Sequence, residues 1–571
     1  MMNKILRRTE MKQRGIEFIY SLNGTKITDC AAGENFDWTC SVKDDRMTAS
    51  VTAKKKLTMQ RFDIIFQYTY QPDDRFFANG YQSWTSSREY MRADQMPKIT
   101  RLAKGEKLFN FAGISSDCRF VNEPTQAGQF HSHCYTYIKN NGKLFFLGSL
   151  TERQGFTVFY ADMNAGTLTV SKDVEGVTLE AGESYDLFDM LVLEGAYDEV
   201  FDRYFAEMGV KKPRIDHMSG YTSWYNYFQK IDEKIITRDL NSLDIVKDSV
   251  SVFQVDDGYE TFVGDWTDKN DKKFPCGMDG IANRIHEKGY LAGIWLAPFN
   301  VQIASRTYKE HPDWVIKYPN GKPVLGVAGW GGAYTLDIYK PEVQEHIRSF
   351  FNVILNDWGY DMVKLDFLYS QCMYPRNNKA RGTIMCEAME FLRSCCGDKL
   401  ILGCGVPLGA AFGWVDACRI SCDVDLKYDG KFYNKMGINN EIPSAQNAIL
   451  NSVFRRHLDS RVFVNDPDVF FFRYSNLKFT IAQKVLLASV NHICGNVLFV
   501  SDNAAEYKGV DVDALKKVFA KSEFRILDAN FVSGSDIVLD LEKNGKPMKL
   551  RLNLKTGASN AGDIMDIPVD R

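Results

Sequence analysis

What this 571-residue sequence lacks narrows it before any motif is considered. Its thirteen cysteines are scattered, odd in number and never in CxxC spacing, and Cys395 and Cys396 are adjacent. That excludes a paired-thiol zinc module and a disulfide framework, and leads to the expectation of reduced thiols in a cytoplasm. There is no surplus of one charge: the formal net value is −3, which gives no reason to expect nucleic acid or an anionic membrane as partner. No run approaches the ~18 apolar residues of a membrane span. The stretch Met1 to Gly15 is charged and has no apolar core of the kind a secretory signal carries. A soluble, intracellular protein is the expectation.

What is present is ordinary in bulk: 45% hydrophobic and 25% charged residues describe a globular chain, and its length accommodates two to four domains. Aromatics at 13% suit a large core or stacking on flat apolar faces such as sugar rings. Residues 1–195 read as all-β. Alternating runs such as Ile16–Tyr20, Asp63–Tyr70, Cys134–Ile138 and Leu144–Gly148 are split by turn signals at Asn23-Gly24, Asn79-Gly80 and Asn141-Gly142. So many strands imply a large sandwich. Within it, Phe76–Trp84 is an aromatic turn too apolar for a solvated loop, which suits either packing on its own sheet or reaching over a neighbouring site. His131 and His133 share a strand face but have no acidic or thiol partner nearby in sequence, so no metal site is expected there.

Residues 196–218 read as a helical linker, with a helix over Tyr197–Met208 and a break at Lys211-Lys-Pro-Arg214. From 219 to 505, strand-like runs alternate with helices. The expected strands are Gly220–Tyr225, Val250–Asp256, Tyr290–Leu296, Met362–Asp366, Leu400–Cys404, Asp416–Ser421, Arg461–Val464 and Ile493–Val500. Eight βα units in this length indicate a (β/α)8 barrel. After a helix at Asp511–Lys521, residues 506–571 return to alternating β-runs and suggest a small C-terminal β-sandwich.

The centre of the chain is Met362-Val-Lys-Leu-Asp-Phe-Leu-Tyr369. A helix over Pro341–Trp358, with proline in its first turn and Gly359 after it, delivers a short buried strand that ends on Asp366. Strand C-termini are where a parallel barrel places chemistry. The other strand ends offer Trp224, Asp256 and Asp257, Trp295, Lys364, Cys404, Arg419 and Asp423. Carboxylates and indoles at one rim suit a neutral polyhydroxylated ligand, and two carboxylates from different strands are the minimum for glycoside hydrolysis. No histidine stands at these ends, so no metal or other cofactor is expected. A barrel lysine such as Lys364 also leaves open an imine-forming aldolase, although an aspartate two residues away favours an ion pair.

Gln254-Val-Asp-Asp-Gly-Tyr259, Gly264-Asp-Trp266, Lys273-Phe-Pro275, Gly293–Phe299, Val363–Phe367, Gly403-Cys-Gly-Val-Pro407 and Asp416–Asp423, in this order, resemble glycoside hydrolase family 36. The family comprises retaining α-galactosidases and their relatives, and the likeness extends in layout over the whole chain. It implies an N-terminal β-supersandwich, a central barrel and a C-terminal β-domain. It also implies that Asp366 is the nucleophile and Asp423 the general acid/base, with Asp256 and Asp257 on the far hydroxyls of the sugar. Lys364, Cys404 and Arg419 would line the 2-position, and Trp224, Trp295 and, more loosely, Trp84 would pack on the ring. The implied substrate is an oligosaccharide or glycoconjugate with terminal α-galactose, cleaved with retention; a homo-oligomer is compatible with the family. One departure stands out. Members often carry an aromatic shortly after the acid/base, whereas Asp423-Val-Asp-Leu-Lys-Tyr428 supplies a second carboxylate, Asp425, which at i, i+2 on a strand would share a face with Asp423 and point into the site with it. An α-N-acetylgalactosaminidase, a galactosyl-transferring relative and an inactive sugar-binding protein remain open.

Overall fold

The computed structural model describes residues 11–97, 114–428 and 443–569; the first ten residues of the charged N-terminal stretch lie outside them. Two seven-stranded antiparallel sheets make up the N-terminal domain. Their alternating faces meet in an aromatic core that includes Phe18, Phe36, Phe62, Phe145 and Phe159. The turns at Asn23-Gly24 and Asn141-Gly142 take positive φ at both central residues, +50° and +80° in the first and +48° and +71° in the second. That is the primed turn whose twist matches a hairpin, and Asn-Gly adopts it at little strain. Asn79-Gly80 does otherwise: it opens a loop, and a Cβ at Gly80 would stand 2.6 Å from the Thr85 carbonyl oxygen.

A helix at Tyr197–Glu207 leads into a parallel sheet whose pairing closes on itself. Its strands are Met218–Thr222, Val252–Val255, Leu291–Leu296, Met362–Leu365, Leu400–Gly403, Ala417–Arg419, Val464–Asp466 with Val469–Phe470, and Val497–Val500. The seventh is broken at Pro467-Asp468. Proline has no N–H to offer the ladder and Asp468 takes φ +80°, so the first half pairs with strand six and the second with strand eight. The expected (β/α)8 architecture is present, with shorter strands than the apolar runs suggested because several end residues turn out of the ladder to face the mouth. A three-stranded antiparallel sheet, Asn300–Gln302, Leu325–Val327 and Ala333–Thr335, fills the connection after strand three and was not anticipated.

The C-terminal domain is one three-stranded sheet, Phe524–Ser533, Asp536–Lys543 and Lys546–Asn553, and not the sandwich expected. Its apolar side (Ile537, Leu539, Leu541, Leu550) belongs to the same core as Leu486 and Val490 of the barrel helix Ile481–Cys494. A helix already covers that face, so a second sheet has nothing to bury.

The N-terminal loop does reach the barrel. Ser83 N donates to the Val406 carbonyl at 3.0 Å and Ser87 N to Asn451 Oδ1 at 2.8 Å. Fully buried Arg455 donates to the carbonyls of Ser83, Ile420, Gly80 and Gln82 at 2.6–3.2 Å. One guanidinium thus staples the loop to the barrel, where unpaired carbonyls would be expensive.

Candidate active site

The barrel mouth is built on the end of strand four. Asp366 follows Leu365, and its N–H completes the ladder by donating to the Leu296 carbonyl at 2.8 Å. The chain then turns sharply, with Phe367 at φ +54°, and the Phe367 N–H folds back onto Asp366 Oδ1 at 2.8 Å. Trp295 Nε1, from the neighbouring strand, donates to Asp366 Oδ2 at 3.2 Å. The carboxylate is therefore held from two sides and is only 8% exposed. Burial pushes its carboxyl above the ordinary range; Lys364 pulls it down, Asp423 adds to the rise, and the Cys404 and Trp295 donors oppose it.

Lys364 points to the same face as Asp366, as an i, i+2 pair in a strand must. Its ammonium, however, pairs with Asp256 Oδ2 at 2.8 Å. Burial alone would lower the lysine; Asp256 outweighs it and holds the amine protonated above its usual range. A protonated, paired ammonium is not the desolvated free amine an imine former needs, so the aldolase alternative has no support here.

Asp256 is crowded. Oδ2 also accepts from Gln254 Nε2 at 2.7 Å and Thr222 Oγ1 at 3.3 Å, while Oδ1 accepts from the Asp257 N–H at 2.9 Å. Asp257 is reached by Gln229 Nε2 at 3.0–3.1 Å and by Trp330 Nε1 at 2.9 Å. Gly258, at φ +118°, lets the chain leave the strand with both carboxylates directed inward; a Cβ there would sit 2.7 Å from Gln229 Cα.

On the opposite side, buried Arg419 meets three carboxylates: Asp466 Oδ2 at 3.1 Å, Asp468 Oδ1 at 2.8 Å and Asp423 Oδ1 at 2.8 Å. Burial and the Asp423 and Asp466 charges push Asp468 up to about 7 against the pull of Arg419. The Asp423 side chain itself is 38% exposed. It stands four residues past Arg419, the last residue of strand six, in irregular chain, so it and Asp425 do not share a strand face as their spacing suggested. Asp425 caps locally, accepting the Leu426 N–H at 2.7 Å. The Cys404 thiol, kept neutral by burial and the nearby Asp366 charge, accepts from Trp84 Nε1 at 3.4 Å. Trp84 also packs edge-on against Phe367 and Tyr369.

Residues 226–384 match the melibiase family model. Among solved structures, the α-galactosidase TtGalA of Thermus thermophilus in complex with stachyose is 25% identical with a TM-score of 0.68, over 89% of this chain and 100% of that one. The chain is similar to this α-galactosidase over nearly its whole length. The family 36 α-galactosidase AgaA of Geobacillus stearothermophilus shares the fold at 13% identity and TM-score 0.58, over 94% of this chain and 80% of that one. Curated relatives align over short segments. The "A type blood alpha-D-galactosamine galactosaminidase" of Flavonifractor plautii is 33% identical over 141 residues, 23% of this chain and 13% of that protein. Alpha-galactosidase Mel36A of Lactobacillus acidophilus is 32% identical over 124 residues, 20% of this chain and 16% of that protein. The matched stretch is less than a fifth of the length of either curated relative.

Of the residues carried over from family 36, Asp256, Asp257, Trp295, Lys364, Asp366, Cys404, Arg419, Asp423 and Trp84 converge through the contacts above. Trp224 stands apart from this network: it opens the short helix Trp224–Tyr227 and packs edge-on against exposed Phe228. Sequence reasoning missed Trp330, Gln229, Asp466 and Asp468. Gly329-Trp-Gly-Gly332 was the available signal for Trp330, because a lone indole among glycines marks a turn with a purpose. Asp466 and Asp468 flank Pro467 where strand seven breaks, a place the apolar run did not reveal.

Proposed function

We propose that this protein is a retaining, exo-acting α-galactosidase. The observation that carries the reading is the contrast between its two central carboxylates. Asp366 is buried, held by an indole and a backbone N–H, and aimed from a strand end; Asp423 is half-exposed, beside a guanidinium, and electrostatically felt at Asp366. Asp366 is placed to attack the anomeric carbon while Asp423 protonates the departing oxygen; water then hydrolyses the glycosyl-enzyme with Asp423 as base. Lys364, Cys404 and Arg419 line the 2-position side, Trp295 and Trp84 wall the ring, and Asp256 with Asp257 meets the far hydroxyls. An axial 4-hydroxyl bound by such charged acceptors would be missed by an equatorial one, for a discrimination of about 10⁴. The substrate is an oligosaccharide or glycoconjugate ending in α-linked galactose, and the thirteen free thiols suit a reducing compartment.

A second reading, α-N-acetylgalactosaminidase, is favoured only by the galactosaminidase relative. Assay of p-nitrophenyl α-galactoside against the α-N-acetylgalactosaminide and the α-glucoside decides among them. The galactoside is expected to be the strong substrate, with the β-free sugar absent at early times. Equal turnover of the glucoside, or inversion at the anomeric centre, would overturn the proposal.

A further inference from the structure

The N-terminal domain holds a second cluster of chemistry-bearing side chains that the glycosidase reading does not use. His131 and His133 project from one face of the edge strand Gln129–His133. The sequence offered them no acidic partner, yet the fold supplies one: Asp117, from the connection that precedes the strand, brings Oδ2 to 2.9 Å from His131 Nε2 and 2.7 Å from His133 Nε2. All three residues are more than nine-tenths buried, and one ligand atom from each lies within 4.8 Å of the others.

The chemistry and convergence of the donors distinguish this cluster from a plain hydrogen-bonded staple. The donor set, two imidazole nitrogens and one carboxylate oxygen converging on one point, is that of a borderline divalent cation. Ligands about 2.0–2.1 Å from a tetrahedral ion sit a little over 3 Å apart, so an opening of about half an ångström admits one.

We propose that Asp117, His131 and His133 form a zinc-binding site. Each histidine would give its Nε2 lone pair with the ring proton on Nδ1, Asp117 would give Oδ2, and the fourth position falls to water. The site lies at the root of the loop that carries Trp84. The His133 N–H donates to the Asn79 carbonyl at 2.9 Å, Asn79 Nδ2 to the His133 carbonyl at 3.0 Å, and the Asn79 N–H to Ser132 Oγ at 2.8 Å. Its role is structural, fixing the base of that loop, and it takes no part in the sugar chemistry.

The test uses the full chain, stripped with a chelator and titrated with zinc against a chromophoric competitor. One zinc per chain is expected, with a melting temperature raised by a few degrees when free zinc is about 100 times Kd. Asp117→Asn, His131→Asn and His133→Asn should each weaken binding about 100-fold or more. Cobalt in place of zinc should give a tetrahedral absorption spectrum that is lost in the His131→Asn protein. A wild type with neither stoichiometric zinc nor a shifted melting temperature would overturn the proposal, and so would equal binding by the three variants together. Should a variant fail to fold, the wild-type titration and the cobalt spectrum still decide.

Discussion

The two sides of the barrel mouth are built differently. On the Asp366 side, every element around the carboxylate is fastened: strand three through Trp295, the turn through Phe367, and the N-terminal loop through Trp84 and the Arg455 staple. On the Asp423 side, the carboxylate stands beyond its strand, partly in solvent, and leans on a single guanidinium that two other carboxylates share. A nucleophile must meet a carbon at a fixed angle, which favours rigid placement. An acid/base must change protonation state twice per cycle and receive water, which favours access. The asymmetry of packing parallels the division of roles proposed above.

The sharpest way to break that comparison is to remove the fastened carboxylate. Asp366→Ala is expected to lose about 10⁴-fold or more in kcat while its circular dichroism stays unchanged. Azide should restore part of the turnover as the β-galactosyl azide. An α-azide product would mean that the roles of the two sides are reversed.

Next in size is the open carboxylate. With an aryl α-galactoside, whose leaving group needs little protonation, Asp423→Ala should slow deglycosylation far more than the first step, so that a burst appears and the glycosyl-enzyme can be trapped. Asp425→Ala should stay within a few-fold of wild type because its carboxylate already caps the Leu426 N–H. Burst kinetics in the Asp425 variant alone would move the acid/base by two residues.

The fastened side also has a pH signature. Burial raises the Asp366 carboxyl in the folded protein, so kcat/KM should fall as pH drops through a value above the ordinary carboxylate range. The stability sign is the reverse. A group whose folded pKa is raised contributes stability below its unfolded pKa and loses it as pH rises through the folded one. At neutral pH the ionised Asp366 therefore opposes folding, and Asp366→Asn should melt higher than wild type at pH 7, with the gain shrinking towards pH 4. A variant that melts lower at pH 7 would show that the Trp295 and Phe367 donors outweigh burial.

The fastened side was also the more legible in sequence. A helix with proline in its first turn, a glycine stop and an apolar run ending in Asp366 form a local pattern, and local patterns survive folding. The barrel followed from eight such repeats. What sequence could not show depends on contacts between distant segments: Asp117 against two histidines, Arg455 under the Ser83 loop, Lys364 choosing Asp256 over its strand neighbour Asp366. Asp423 and Asp425 misled for a related reason, since the i, i+2 argument holds only while the chain remains a strand and this one had ended at Arg419. The C-terminal sheet misled through its alternation, which announces an apolar face without saying whether a sheet or a helix will cover it.

The smallest expected effect concerns Trp330, which links the packing around Asp366 to Asp257. Its backbone takes φ +56° between glycines, and its carbonyl is tied by Gln302 Nε2 at 2.7 Å. Its ring packs on Trp295 and Phe367, at centroid distances of 5.9 and 5.1 Å, while Nε1 donates to Asp257. Trp330→Phe keeps most of the ring contact and removes the donor. A hydrogen bond to a carboxylate contributes about 1.5–3 kcal/mol, and Gln229 still holds Asp257, so the lower end applies: about a tenfold loss in kcat/KM. If Trp330 only orients Asp257 toward the sugar, the loss should fall on KM and on galactose inhibition together, with kcat for the aryl substrate little changed and the preference over α-glucoside reduced. A loss confined to kcat would instead place the indole with Asp366, through its packing on Trp295 and Phe367, and would assign this loop to the fastened side of the mouth.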